Sequence, residues 1–361
     1  MKFKQKIKNL FFKKIAQKKY TKTLNLKDIK KILIIRDGGI GDAICTYPLI
    51  RELMKNLPHV EIDIYASLNN HFMYKYLPYI DNIYIKYKKR QWYKSWIDIL
   101  KMRKNRYDLA IDDTVIRLHR TIYTKIINPT FVIGSSDTNK RYGFDRSELS
   151  YYYKTYNSND ITHIVDKRLR ILDLLGLPNN NNKMDFYLSE KRNIHIQKYF
   201  EESKAYKFIA LNTDGSNSSR TLTKEQIITL CKLLYKKNIK IILLSIPKKY
   251  TYFEKLIKEN NLLNVELPFK TNTIYDAAEI VKNVNLLISP DTSFIHIASG
   301  LNIPTIGLYW NNPIKYIEWG PRSEKSYAIT PKTKEENILH IDLNEVKDKA
   351  FEILESSKKS F

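Results

Sequence analysis

The chain has 361 residues, 43% of them apolar and 12% aromatic, enough for about two packed domains and too apolar for global disorder. It carries 62 Lys+Arg against 38 Asp+Glu, a formal charge of +24, which narrows the partners to anionic ones: nucleic acid, an anionic membrane face or phosphorylated substrates. Two distant cysteines, Cys45 and Cys231, exclude a disulfide scaffold and a four-cysteine zinc site, and suit a reducing compartment.

The first thirty residues hold eleven lysines and one acid, Asp28, a net of +10. Phe3, Ile7, Leu10, Phe11 and Ile15 recur at helical spacing with lysines around the remainder. Two readings stand: a basic amphipathic helix lying in the headgroup region of an anionic leaflet, or a solvated extension shaped by composition. No apolar run approaches the ~20 residues of a membrane span. A secretory signal is also not expected, because Phe11-Phe12 runs at once into Lys13-Lys14 with no small-residue cleavage site.

From Lys31 onward, short β-branched runs alternate with segments of helix length. KILIIR (31–36) is a strand, DGGIGD (37–42) a glycine-rich turn, and a helical stretch reaches about Leu57. Strands follow at VEIDIYA (60–66), NIYIK (82–86), YDLAID (107–112) and TFVIG (130–134). Between them, Lys86 to Arg106 holds nine basic residues and one acid, Asp98, a net of +8, interleaved with Trp92, Tyr93 and Trp96. It reads either as a membrane-facing or anion-facing surface, or as a solvated helix that buries its tryptophans.

The alternation then restarts with KFIALN (207–212) as strand, 221–238 as helix and KIILLS (240–245) as strand. Helices follow around 252–261 and over IYDAAEIVKN (274–283), then strands NLLIS (285–289) and IPTIGLY (303–309). Strands of this kind separated by helices form parallel βαβ units buried on both faces. The expected organisation is an extension over 1–30, a Rossmann-like domain over 31–178, a connector over 179–205, a second Rossmann-like domain over 206–340 and a C-terminal helix over 341–361. The place of that last helix, about Leu343–Ser356, is left open.

Three segments carry candidate chemistry. Gly38, Gly39 and Gly41 lie in the turn after the first strand, where doubly wound sheets bind ligands. The turn has neither the dinucleotide fingerprint nor the Walker A pattern. Asp42 on it reads as a general base or simply as a helix cap. In the second segment, Asp291, Thr292 and Ser293 open a helix with side-chain oxygens and free backbone N–H groups, suited to a ribose and a diphosphate, and His296 follows one turn in. In the third, Arg220 closes a polar loop containing Gly215, where a planar fork suits a phosphate.

In this order and spacing the segments resemble glycosyltransferase family 9, the ADP-heptose:lipopolysaccharide heptosyltransferases. The matching pieces are IIRDGGIGDAICTYPLIRELMKNLPHVEIDIYA, RYGFD (141–145), HIVDKRLRILDLLGLP (163–178), the Arg220 loop, DTSFIHIASGLNIPTIGLYW and Gly320-Pro321. The resemblance implies a GT-B fold, two Rossmann-like domains facing across a cleft, with acceptor on the first and nucleotide sugar on the second. It puts Asp42 in the position of the catalytic base of an inverting displacement. Arg220, Thr292 and Ser293 would stabilise the departing diphosphate, Asp291 would hold the donor sugar, and His296 would lie near that pocket. No metal and no cofactor are expected beyond the donor substrate, ADP-heptose.

The implied acceptor is an anionic glycolipid, the lipid A–Kdo inner core, met by a cytoplasmic enzyme peripheral on the inner membrane. Several positions depart from the family pattern. Gly38-Gly39 replace a Ser pair, Ser293 replaces Gly, Leu222-Thr223 replace Trp-Pro, and no acidic residue stands near Pro247-Lys248-Lys249 to contact a ribose. Two alternatives remain: a GT-B glycosyltransferase using another sugar nucleotide for core, capsule or another glycoconjugate, and a non-enzymatic protein binding anionic membrane or nucleic acid. No nucleic-acid module is recognisable, so nucleic acid is not an expected partner.

Overall fold

A computed structural model describes residues 2–114, 117–136, 138–139, 144–189, 193–215, 217–332 and 337–356. The chain divides into two compact units, Met1–Asn182 and Lys183–Phe361. Arg141, Tyr142 and Gly143 of the RYGFD segment lie outside the described residues.

In the first unit the strands are β1 Lys31–Arg36, β2 Glu61–Ser67, β3 Asn82–Lys86, β4 Leu109–Ile111, β5 Phe131–Ser136, the short β6 Thr138–Asn139 and β7 Phe144–Asp145, and β8 Lys154–Asn157. Its helices are α1 Lys2–Ile15, α2 Ile40–Ile44, α3 Tyr47–Asn56, α4 Trp92–Lys104, α5 Leu118–Ile127 and α6 Ile164–Leu175. The sheet order is β3-β2-β1-β4-β5-β8, with every neighbouring pair parallel. β1 is buried from Ile32 to Arg36 without alternation, as a strand covered on both faces must be.

The second unit repeats the arrangement. Its strands are β9 Lys207–Asn212, β10 Ile239–Leu244, β11 Val265–Glu266, β12 Leu286–Pro290, β13 Thr305–Leu308 and β14 Ser326–Ile329, in the order β11-β10-β9-β12-β13-β14. Its helices are α7 Ile194–Glu202, α8 Lys224–Leu233, α9 Tyr250–Glu259, α10 Ile274–Asn283, α11 Ser293–Gly300, α12 Pro313–Trp319 and α13 Leu343–Ser356. Both units therefore have the doubly wound order in which the winding reverses beside the first strand. Ligands bind outside the carboxyl ends of the strands at that reversal, between β1 and β4 and between β9 and β12.

Local signals set the element ends. Thr223 and Gln226 form a reciprocal capping box, so α8 starts at Lys224 rather than at Thr221. His163 caps α6 through Nδ1, and Gly176 ends that helix in the left-handed region at φ 69°. Strands β8 and β14 were not expected. Each lies at a sheet edge with one neighbour; KTYN has no continuous apolar run, and SYAI has only the three-residue Tyr-Ala-Ile. α13 buries Val346, Ala350, Ile353 and Leu354 in the core of the second unit, which gives the last helix its place.

The N-terminal helix is attached differently from its apolar pattern. Phe12 and Ala16 join the core of the first unit, whereas Leu10 and Phe11 are exposed. Lys125 donates to the Ile15 carbonyl at 2.7 Å, and Tyr20 stacks on Phe131 with centroids 5.9 Å apart. Helices α1, α4 and α5 share the layer over the sheet face that carries Leu33 and Ile35.

Candidate functional site

Each unit presents a polar edge at its reversal point. In the first, Arg36 ends β1 fully buried and is held by Asp113 beyond β4: Nη1 donates to the Asp113 carbonyl at 2.6 Å, and Nη2 lies 3.3 Å from its carboxylate. Tyr156 donates to the same carboxylate at 2.6 Å, so the buried pair is hydrogen-bonded as well as neutralised. The next residue, Asp37, is ion-paired with both Lys86 and Arg120. Burial opposes its ionisation, but these two cations outweigh burial and hold the carboxyl below the ordinary aspartate range. Burial and then the same cations push His119 down to about 4, and its neutral ring accepts from Lys86 at 3.2 Å through Nε2.

Asp42 lies on the third position of α2, with 33% of its side chain exposed. Its Oδ2 accepts the Gly39 N–H at 3.0 Å, and its Oδ1 accepts from Arg168 Nη2 at 2.8 Å. The cap position itself belongs to Gly39; from the third position Asp42 accepts the cap residue's N–H, and it also makes a directed charge pair. Burial would raise this carboxyl; the Arg168 charge, the Gly39 N–H and the Arg36 charge outweigh it and keep the pKa below the usual value. A β-carbon at Gly38 would come within 2.5 Å of Asp42 Oδ2, so the loop can fold onto the carboxylate only with glycine there. Gly39 is the cap residue and Gly41 lies within α2.

Arg168 was not among the expected site residues. It is fully buried on α6, and its Nη1 also donates to the Asp42 carbonyl at 2.8 Å. Its sequence signal is position: on α6 it falls beside Val165, Leu169 and Leu172, on the side the helix buries.

In the second unit the loops after β9 and β12 are tied together. Asn212 Nδ2 donates to Ser289 Oγ at 3.0 Å, to Thr292 Oγ1 at 3.2 Å and to the Asp214 carbonyl at 3.1 Å. Thr292 caps α11 and accepts from the Phe294 N–H at 3.3 Å, while Ser293 opens the helix. Arg220 pairs with Asp291 at 2.8 Å, and its guanidinium lies 5.4 Å from the Trp310 ring. Gly215 lets this loop close, because a β-carbon there would be 2.1 Å from the Arg220 carbonyl oxygen.

Burial raises the Asp291 carboxyl, with Arg220 and Lys315 opposing. Thus Arg220, Asp291, Thr292 and Ser293 meet at one edge. His296 instead is buried within α11, its ring edge-on to Trp319 at 5.9 Å. Lys249, paired with Asp214, and Trp310 join this edge without having been expected there. Among the described residues, no three His, Cys, Asp or Glu side chains group as a metal centre requires.

Two doubly wound parallel-sheet units in one chain, each with a polar edge at its reversal point, make a fold of GT-B type. The profile of glycosyltransferase family 9 (heptosyltransferase) matches residues 101–343, and the chain belongs to that family.

Among similar proteins is the lipopolysaccharide core heptosyltransferase OpsX of Haemophilus influenzae, 21% identical over 79% of this chain and 81% of the relative. Another is lipopolysaccharide heptosyltransferase 1 of Campylobacter coli, 25% identical over 78% of this chain and 84% of the relative. In fold the chain resembles a family 9 glycosyl transferase from Veillonella parvula, with a TM-score of 0.73, 17% identity, and coverage of 91% of this chain and 98% of that one. It also resembles E. coli heptosyltransferase WaaC solved with ADP, with a TM-score of 0.70, 16% identity, and coverage of 91% and 99%.

Proposed function

We propose that this family 9 enzyme transfers a heptose from ADP-heptose to the inner core of lipopolysaccharide or lipooligosaccharide, with inversion, using Asp42 as general base. The observation that carries the reading is the Asp42 carboxylate itself. It is a third exposed, at the reversal point of its sheet, held at both oxygens by Gly39 and Arg168, and kept below the ordinary aspartate range by the Arg168 charge. In the proposed step Asp42 takes the proton of the acceptor hydroxyl as that oxygen bonds to the anomeric carbon. The bond from that carbon to the diphosphate breaks, and its electron pair leaves with ADP. One base suffices because no glycosyl-enzyme forms.

Charge develops on the departing diphosphate, and Arg220 with the N–H groups at Thr292 and Ser293 would receive it. Turnover is accordingly expected without added divalent ion. The ADP in the E. coli relative supports an adenosine diphosphate donor. Ser293, a larger residue than the family glycine, favours the second reading, a different sugar nucleotide; thermal shifts with ADP-, UDP-, GDP- and CMP-sugars decide between them.

The acceptor reading places the enzyme against the anionic cytoplasmic face of the inner membrane, supported by the +10 of residues 1–30. No helix among the described residues is long and apolar enough to cross a membrane. The test of the base is Asp42→Asn. Turnover should fall by about a hundredfold to ten-thousandfold with ADP-sugar affinity retained. Unchanged turnover removes Asp42 from the role.

A further inference from the structure

Helix α4 is apolar on two sides. Ser95, Ile99 and Met102 point into the first unit, and Trp96 packs edge-on against Tyr123 of α5 at 5.6 Å. On the outward side Trp92, Tyr93, Ile97 and Leu100 are each at least half exposed. Tyr93, Ile97, Leu100 and Lys104 follow one another at steps of four, three and four, a single stripe along the helix. Burying both sides of a helix in its own domain would leave no such stripe. Exposing four large apolar side chains together marks a surface with a partner.

The charge around the stripe narrows that partner. Lys88, Lys89, Arg90, Lys94, Lys101, Arg103 and Lys104 flank it, within the segment of net charge +8. A symmetric contact between two copies through α4 would set one +8 surface against another. Tryptophan and tyrosine at the helix start, aliphatic residues behind them and lysines around the rim are the composition of a helix lying in a lipid headgroup layer. α1 lies in the same layer of the fold and also turns apolar side chains outward, Leu10 and Phe11. α4 follows β3 at the carboxyl edge of the sheet, so Trp92 and Tyr93 begin on the edge that carries Asp37 and Asp42.

We infer that the outward stripe of α4, with Leu10 and Phe11 of α1, is a lipid-docking surface that seats the first unit on an anionic leaflet. It deepens the membrane-facing reading above by naming the side chains that enter the lipid.

The test is vesicle flotation of the full chain, without sugar nucleotide, on phosphatidylethanolamine–phosphatidylglycerol vesicles and on phosphatidylcholine vesicles. The parent and Ile97→Glu/Leu100→Glu are compared, both positions being exposed and outside the core. The parent is expected to float with the anionic vesicles alone, and the double variant to partition about tenfold or more weakly. Brominated phosphatidylglycerol should quench the parent's tryptophan emission, and Trp92→Phe should remove most of that quenching.

Vesicle binding by the double variant equal to the parent's overturns the inference, as does quenching unaffected by Trp92→Phe. Lipid-free self-association abolished by the double variant also overturns it, by assigning the stripe to a second copy. Activity on a delipidated acceptor, measured in parallel, should be the same in both proteins. Its absence from the parent would strike the transferase reading and leave the flotation result standing.

Discussion

Gly38 permits a sharp test of the Asp42 assignment, because the perturbation is one methyl group and its collision is known. In Gly38→Ala the new β-carbon would sit 2.5 Å from Asp42 Oδ2, 2.7 Å from Cγ and 2.9 Å from Cβ. Reaching an ordinary 3.4 Å contact requires the carboxylate to recede by about 0.9 Å. All three near atoms belong to a short side chain, so rotating its tip does not relieve the clash. The loop and α2 must move apart, and the 3.0 Å bond to Gly39 or the 2.8 Å pair with Arg168 is lost.

A misplacement of about 1 Å in a reacting group costs on the order of a hundredfold in rate. kcat/KM, followed as acceptor-dependent ADP release, should fall by about that factor. Gly39→Ala is the matched control, since its β-carbon would stand 3.8 Å from the same oxygen, an ordinary contact. A Gly38→Ala enzyme within about threefold of the parent, or a Gly39→Ala enzyme that is the worse of the two, would refute the reasoning.

The same site yields a pH prediction. Arg168 holds the Asp42 pKa down, and Asp42, if it is the base, would be inactive below that pKa; Arg168→Met should therefore move the acid limb of kcat/KM to higher pH. An unmoved limb would separate Arg168 from the base. If Arg220 holds the diphosphate as proposed, Arg220→Ala removes charge-assisted hydrogen bonds worth about 1.5–3 kcal/mol, and ADP affinity by calorimetry should weaken roughly tenfold to a hundredfold. Affinity equal to the parent's would remove Arg220 from diphosphate binding. For stability, Ile353→Ala in α13 should cost about 2–5 kcal/mol in urea unfolding of the second unit. A cost below ~0.5 kcal/mol would mean that this helix is not part of the core.

Strands were legible wherever the sequence holds a continuous apolar run, whether central, as β1, β9 and β12 are, or at the sheet edge, as β3 is. KILIIR, NIYIK and KFIALN are read from their apolar runs with their observed bounds, and NLLIS within one residue at each end. β8 and β14 were not, since polar residues break KTYN and SYAI carries a single β-branched aliphatic residue. The glycine-rich turn and the Asp-Thr-Ser helix start were legible as loci because α/β topology fixes where strand ends must lie. Their partners were not. Arg168 is one basic residue among many in a lysine-rich chain, and only the turn of α6 toward Asp42 distinguishes it. Trp310 meets Arg220 only once β13 is laid beside β12. For α1, the spacing of apolar residues marked a stripe with Leu10 and Phe11, which is exposed; that Phe12 and Ala16 dock on the first unit had no signal of its own.

The Arg220–Asp291 pair gives donor binding a thermodynamic signature of its own. A diphosphate that engages Arg220 competes with a carboxylate already bonded to it at 2.8 Å, so binding there is an exchange of anions. Asp291 is a carboxyl that burial already biases toward its neutral form, and the Arg220 charge is what opposes that bias. If, as proposed, the guanidinium turns to phosphate, that opposition is lost and Asp291 should take up protons from solvent. Binding heats measured in buffers of different ionisation enthalpy should then differ in proportion, most strongly in mildly acid solution. On this proposal, part of the affinity for the nucleotide sugar would be set by the proton concentration.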